Sequence, residues 1–149
     1  MWYPADEMSR STILVVSVVL LACKARGGGS KDPSSDPCAD FEVEVEKFWS
    51  ASVKAKVMQY GGEASTSVAL GVTNKMDRIT EDWVMLRTST CKDHFARKLI
   101  TADDYRAKVA CFDAQLAKQR TLAETLGTGA LADADAELDT LLAEPAQCR

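Results

Sequence analysis

The sequence is poor in histidine and proline and has only a small excess of one charge. Its 149 residues include one histidine, His94, and four prolines, and the formal net charge is −4. A single imidazole excludes sites that need two histidines. The slight acidic excess argues against nucleic acid as a partner. No Gly-x-Ser-x-Gly, phosphate-binding glycine loop or kinase motif occurs, so the sequence predicts no enzyme, catalytic residue or cofactor.

A long apolar run is also lacking. The stretch 13–22 is about half of the roughly 20 residues that a helix needs to cross a bilayer. Arg10 precedes it, and a short apolar run behind a positive charge is typical of a secretory signal peptide. Asp6 and Glu7 do not fit such a region, so a translation start at Met8 would give a better one. The alternative is a buried core segment.

The apolar run ends in Leu20, Leu21, Ala22 and Cys23, and these residues resemble the lipobox of bacterial lipoproteins. That resemblance implies a signal peptide over 1–22 and a lipid anchor, such as palmitate, on Cys23. A Gly-, Ser- and Pro-rich stretch follows and predicts a flexible linker over 23–37. We therefore expect a lipid-anchored protein of the cell envelope, facing the periplasm or the cell exterior, with the membrane as one partner.

The absence of proline from 38–144 favours long helices over the rest of the chain. Gly61 and Gly62 predict the end of a first helix that begins near Cys38. Apolar residues at three- and four-residue spacing predict that this helix and a second one each bury one face.

Thr101 predicts the start of a third helix, because its hydroxyl can cap the helix and Asp104 lies where a carboxylate can reach back. Gly127 predicts the end of that helix, and a short fourth helix is expected over 130–143. The expected fold is all-α, a small antiparallel bundle of three to four helices over 38–149, most of its apolar residues being core.

Cysteine spacing carries the most information about this domain. Apart from Cys23, four cysteines remain, an even number that predicts two disulfides in an exported domain. Cys91 lies ten residues before Thr101 and Cys111 lies ten after it. In a helical hairpin that turns at Thr101 the two would be level, so we predict a Cys91–Cys111 bridge and, by similar height arithmetic, a Cys38–Cys148 bridge.

A metal or thiol redox site is the competing interpretation. Cys91 and His94 lie on one helix face, and Cys111 could approach them. No Cys-x-x-Cys motif or second histidine accompanies them, so we predict no metal site.

The second half of the chain resembles the extracytoplasmic helical segment of some bacterial eukaryotic-like serine/threonine kinases. The resemblance is carried by Trp83, Cys91, Thr101, the run Lys108-Val109-Ala110-Cys111-Phe112, Leu116, Leu122 and Cys148. Lys108 replaces the usual arginine, Phe112 replaces a leucine, and the kinase domain is absent. The resemblance implies a disulfide-linked helical module for sensing or binding.

The predicted function is thus that of a binding or structural module with an envelope protein or peptide as partner. A groove near Trp49 or Trp83 is a candidate binding surface, although both tryptophans also fit a core. The sequence does not predict the oligomeric state.

Overall fold

A computed structural model of the chain describes residues 36–62, 66–143 and 148. The expected signal peptide, the lipidation site Cys23 and the linker up to residue 35 lie outside the described residues. The described part confirms an all-α bundle. Its helices are α1 (Phe41–Glu46), α2 (Ala51–Gly61), α3 (Thr66–Phe95), α4 (Ala102–Leu126) and α5 (Leu131–Ala143). None of these helices is long and apolar enough to cross a membrane.

The first predicted helix is divided in two. Ser50 has an extended backbone, with φ −80° and ψ 166°, and its hydroxyl accepts a hydrogen bond from the Val53 N–H, so Ser50 caps α2. The preceding Trp49 is fully buried. The break therefore directly follows the residue whose side chain enters the bundle.

The later helix boundaries agree with the sequence. The Thr101 hydroxyl accepts from the Asp104 N–H at 3.1 Å and caps α4. Gly62, which follows α2, has φ +50°, a value that glycine adopts without steric cost. The helix α4 ends at Leu126, and α5 covers nearly the predicted 130–143.

The 30-residue helix α3 is the centre of the bundle, because it contacts each of the other four helices. Its buried face belongs to two clusters. The larger, called here the apolar core, joins α2, α3, α4 and α5; its buried members are Trp49, Val57, Ala69, Val72, Met76, Ile79, Leu122, Ala123, Leu126, Leu131, Ala134, Leu138 and Leu141. The smaller, called the small core, consists of Trp83, Phe112, Leu116 and Cys148.

Candidate functional site

All four domain cysteines form disulfides, but the predicted pairing is wrong. The bonds join Cys38 to Cys91, with Cα atoms 5.5 Å apart, and Cys111 to Cys148, with Cα atoms 5.7 Å apart. Bridges Cys91–Cys111 and Cys38–Cys148 do not form.

The error came from treating the helices as continuous rods. Because α3 ends at Phe95, Cys91 lies about 6 Å from the end of its helix, whereas Cys111 lies about 14 Å into α4. The two cysteines are therefore not level. Likewise, the break at Ser50 removes the long first helix on which the height of Cys38 was based.

The two disulfides tie the two ends of the domain to its longest helices. The Cys38–Cys91 bond attaches the beginning of the domain to the last turns of α3, and the Cys111–Cys148 bond attaches the end of the chain to α4. Cys38, Cys91 and Cys148 are at least 96% buried. Bonds that close long loops between buried cysteines have a structural role, because they restrict the unfolded chain.

Cys91, His94 and Cys111, the residues of the alternative metal or redox site, do not form such a site in the structure. Cys91 and Cys111 belong to different disulfides, which leaves neither thiolate free to bind a metal ion. The His94 ring stacks on Tyr105 with centroids 4.5 Å apart, and its Nδ1 lies 3.3 Å from the Ile100 carbonyl oxygen. Among the residues that the structure describes, no group of three or more His, Cys, Asp or Glu could hold a metal ion.

An open surface depression, called here the groove, lies between α1, the start of α2 and the second half of α3. Its volume is about 610 Å³. The apolar part of its lining comes from Val45, Trp49, Val84 and Met85, and 56% of the Met85 side chain is exposed. A methionine exposed beside a buried indole offers a deformable contact to a partner.

Asp77 contacts two side chains, those of Trp49 and Lys54, at one end of the groove. Its Oδ1 accepts a hydrogen bond from the Trp49 indole N–H at 2.6 Å and lies 2.8 Å from the Lys54 ammonium. The same ammonium is 5.9 Å from the Trp49 ring centroid. Asp77 thus satisfies a buried donor that would otherwise be unpaired, and it fixes the ring that forms the groove wall.

Charged side chains of both signs line the groove. Lys54 pairs with Asp77 at one end, Glu42 and Glu46 come from α1, and Lys92 and Arg97 lie in the last turn of α3 and just beyond it. The distance along α3 from residue 77 to residue 92 is about 22 Å. An open apolar strip of this length, bordered by charges of both signs, suits a polypeptide segment more than a compact small molecule.

A second depression, of about 380 Å³, lies beside Trp83 and contains a buried arginine, Arg87. Arg87 is only 9% exposed, and its Nη1 donates to the Tyr105 hydroxyl at 3.2 Å. Its guanidinium lies 4.6 Å from the Phe41 ring centroid, a cation–π contact. The Trp83 indole N–H donates to the Phe112 carbonyl at 2.9 Å, so this tryptophan is part of the small core.

The sequence analysis did not identify Arg87 as a buried residue, although its helical spacing from Trp83 and Cys91 indicated a position on the buried face. Arg87 lies midway between Trp83 and Cys91 at four-residue intervals, and all three are buried on one face of α3. The residue type argued against burial, since a buried guanidinium needs aromatic or hydrogen-bonding neighbours that are distant in sequence.

One carboxylate on the rim of this second depression has a perturbed pKa. The Lys47 ammonium donates to Glu44 at 2.6 Å and lowers the pKa of that carboxyl below its usual range. Arg120 of α4 also approaches Glu44, at 3.4 Å. The Arg120–Glu44 pair connects α4 to α1 at the surface.

Fold and site together define a disulfide-linked helical bundle with an open, amphipathic groove. The chain matches no protein-family model, and neither a curated protein nor a solved structure shows significant similarity to it.

Proposed function

We propose that the protein is a lipid-anchored component of the bacterial cell envelope whose helical domain binds a polypeptide partner outside the cytoplasm. The two disulfides are the observation that carries this proposal. Disulfides persist in oxidising compartments and are rare in the cytosol, so they agree with the signal peptide that the sequence predicts ahead of the domain.

Anchoring through Cys23 is the first half of the proposal. We expect Cys23→Ser to move the protein from the membrane fraction to the soluble fraction. Ser17→Ala is the matched control, because it changes the same segment without touching a sulfur, and it should leave the protein in the membrane. Membrane association that is unchanged in Cys23→Ser would refute lipidation at this residue.

Binding through the groove is the second half. Met85 is half exposed on the groove wall, whereas Leu70 is 49% exposed on α3 but does not line the groove. A photoreactive residue in place of Met85 should give one discrete covalent adduct in native membranes, and the same residue in place of Leu70 should not.

A substitution in the groove distinguishes specific binding of a partner from random cross-linking. Val84→Glu adds a charge to the apolar part of the groove and should abolish the adduct at position 85. An adduct of equal yield from positions 85 and 70, or one that survives Val84→Glu, would contradict binding through the groove.

The alternative function as a metal or redox protein has no favouring observation, because both of its cysteines are in disulfides. Peptide mapping without reduction distinguishes the two functions. We expect the cross-linked pairs Cys38–Cys91 and Cys111–Cys148; free thiols at Cys91 and Cys111 with bound zinc would favour the alternative.

A further inference from the structure

The turn between α3 and α4 exposes apolar and basic side chains together. This hairpin tip, residues 92–100, includes Leu99, which is 70% exposed, and Phe95, which is 43% exposed. Lys92, Arg97 and Lys98 belong to the same few residues. Large apolar side chains among cations are the composition of a surface that enters a lipid interface.

The carboxylates at and next to the hairpin tip have partners. Asp93, the one carboxylate within the tip, pairs with Arg97 at 2.7 Å, and just beyond the tip Asp104 accepts from the Thr101 hydroxyl and Asp103 pairs with Arg106. In the part of the chain that the structure describes, no carboxylate lies within ion-pair distance of Lys92 or Lys98. Two cations therefore remain available for external anions.

The backbone of the hairpin tip directs these residues outward. Lys98 has φ +57°, in the left-handed region that favours glycine. The next residue, Leu99, donates its N–H to the Asp93 carbonyl at 2.8 Å, which closes the end of α3. Lys98 thus occupies a position where glycine would be less strained, and backbone strain of this kind is concentrated at functional sites.

The N-terminal segment reaches the domain at this same end. Cys38 is bonded to Cys91, one turn before Phe95, and residues Asp36 to Cys38 line a depression together with Lys92 and Phe95. Only the twelve residues from 24 to 35 separate Cys23 from the described chain. Fully extended, they reach about 40 Å, so the point where the tether joins an anchored domain would stay within about that distance of the membrane.

We propose that the hairpin tip docks on the anionic lipid surface of the membrane that holds the anchor. Leu99 and Phe95 enter the interface, and Lys92 and Lys98 contact lipid phosphates. The inference rests on the proposed anchoring through Cys23. Tethering raises the local concentration of the hairpin tip at the surface, so a small contact is sufficient to orient the domain.

A pair of tryptophan variants of the full, membrane-purified chain tests the position of the hairpin tip. Leu99→Trp places a fluorescent probe on the hairpin tip, and Leu70→Trp places one near the other end of α3. Along α3, position 70 is about 38 Å from Phe95 of the hairpin tip. The probe vesicles contain phosphatidylcholine and phosphatidylglycerol, with and without brominated acyl chains. The emission of the parent chain, whose Trp49 and Trp83 are buried, is subtracted.

We expect the emission of Leu99→Trp to shift to the blue and to be quenched by the brominated chains, and that of Leu70→Trp to stay unchanged. If the chain sediments with the vesicles but neither probe responds, docking by the hairpin tip is refuted while anchoring stands. Equal responses from both probes would also refute it.

The same measurement on the Cys23→Ser chain keeps the two proposals separate. If this chain resists a high-salt wash of the membranes as the parent does, anchoring through Cys23 fails, whereas binding that the wash removes belongs to the hairpin tip. The Leu99→Trp response in that chain still decides whether the hairpin tip binds lipid.

Lys98→Gly provides a second test, in which the domain should become more stable while its binding to anionic vesicles becomes weaker. Unfolding of the variant could not produce both results. Removing the left-handed lysine should raise the thermal midpoint of unfolding. It should also weaken binding of the Cys23→Ser chain to vesicles with phosphatidylglycerol by about fivefold at low salt, the effect expected for one basic residue near an anionic surface. Unchanged affinity for these vesicles, or an equal loss with phosphatidylcholine alone, would contradict a role for this charge.

Discussion

The two cores of the bundle are stabilised differently. The apolar core has thirteen buried residues and contains no disulfide. The small core has four buried residues, one of them Cys148 of the Cys111–Cys148 disulfide. The Cys38–Cys91 disulfide lies about two helical turns beyond Trp83 on the same buried face of α3. The small core also contacts Arg87, whose burial costs free energy that only cation–π and hydrogen-bond contacts offset.

The difference shows where covalent bonds are needed in a small domain. A buried Leu, Ile or Val side chain contributes roughly 1.5–3 kcal/mol, so the apolar core can be stable through packing alone. The small core has too few such side chains. Its disulfides lower the entropy of the unfolded chain and so stabilise the end that packing supports least.

Removal of the disulfides should have the largest effect on stability. The bonds close separations of 53 and 37 residues. The chain-entropy relation gives about 4 kcal/mol for each. We expect Cys38→Ala combined with Cys91→Ala, made in a Cys23→Ser background, to lower the free energy of unfolding in urea by about that amount.

Hydrogen exchange shows whether the effect is local. Loss of the Cys38–Cys91 bond should reduce amide protection around Trp83 and Phe112 more than around Ile79 and Leu138. A uniform loss of amide protection would show that the two cores unfold as one unit. It would contradict the claim that the disulfides stabilise mainly the small core.

Truncation in the apolar core should have the next largest effect. Leu138 is fully buried, and Leu138→Ala should cost about 3 kcal/mol through lost burial and the cavity that remains. Leu70→Ala is the matched control, since Leu70 is 49% exposed, and it should change the free energy of unfolding by less than about 0.5 kcal/mol. Similar losses from both leucines in a urea titration would contradict the assignment of this core.

The sequence predicted the features that depend on neighbouring residues. The Thr101 cap, the glycine that follows α2 and the bounds of α5 depend on contacts within a few residues, and all are confirmed. The disulfide pairing was wrong because it depends on where α3 ends. Six residues after Phe95 separate the two helices, which changes the relative heights of Cys91 and Cys111.

The candidate site was predictable only in part. Trp49 was expected to be a core residue and near a groove, and it is both buried and on the groove wall. Its partner Asp77 is 28 residues away, and nothing in the local sequence indicates that contact. Arg87 was missed for the same reason, because its aromatic neighbours Phe41 and Tyr105 come from other parts of the chain.

The Asp77 contact links the groove to the apolar core and should have an intermediate effect. Asp77→Ala leaves the buried Trp49 indole N–H without an acceptor and should lower stability by about 2 kcal/mol. Asp77→Asn keeps an acceptor and should cost less than half of that. Equal losses from the two variants in urea unfolding would show that the charge, and not the hydrogen bond to Trp49, is responsible.

The smallest expected effect is at the surface of the apolar core, where Lys75 joins α3 to α5. Its ammonium lies 2.8 Å from Asp135 and 2.7 Å from Asp139, and hydrogen bonds to these carboxylates raise the pKa of Lys75 above its usual value. A raised pKa means that the folded state holds the proton more tightly than the unfolded state. The resulting stability is complete below the unfolded pKa and is lost as the pH rises through the folded one.

The pH dependence of Lys75→Met, compared with the parent, isolates this contribution. Other lysines and tyrosines also titrate at alkaline pH, so the informative quantity is the difference in thermal midpoint between the two chains. That difference should favour the parent at neutral pH and shrink above about pH 10.5, the ordinary pKa of lysine. Both chains should carry Cys23→Ser, because a free thiolate could exchange with the disulfides of the small core. A difference that stays constant with pH would assign the effect of Lys75 to the packing of its alkyl chain against α5.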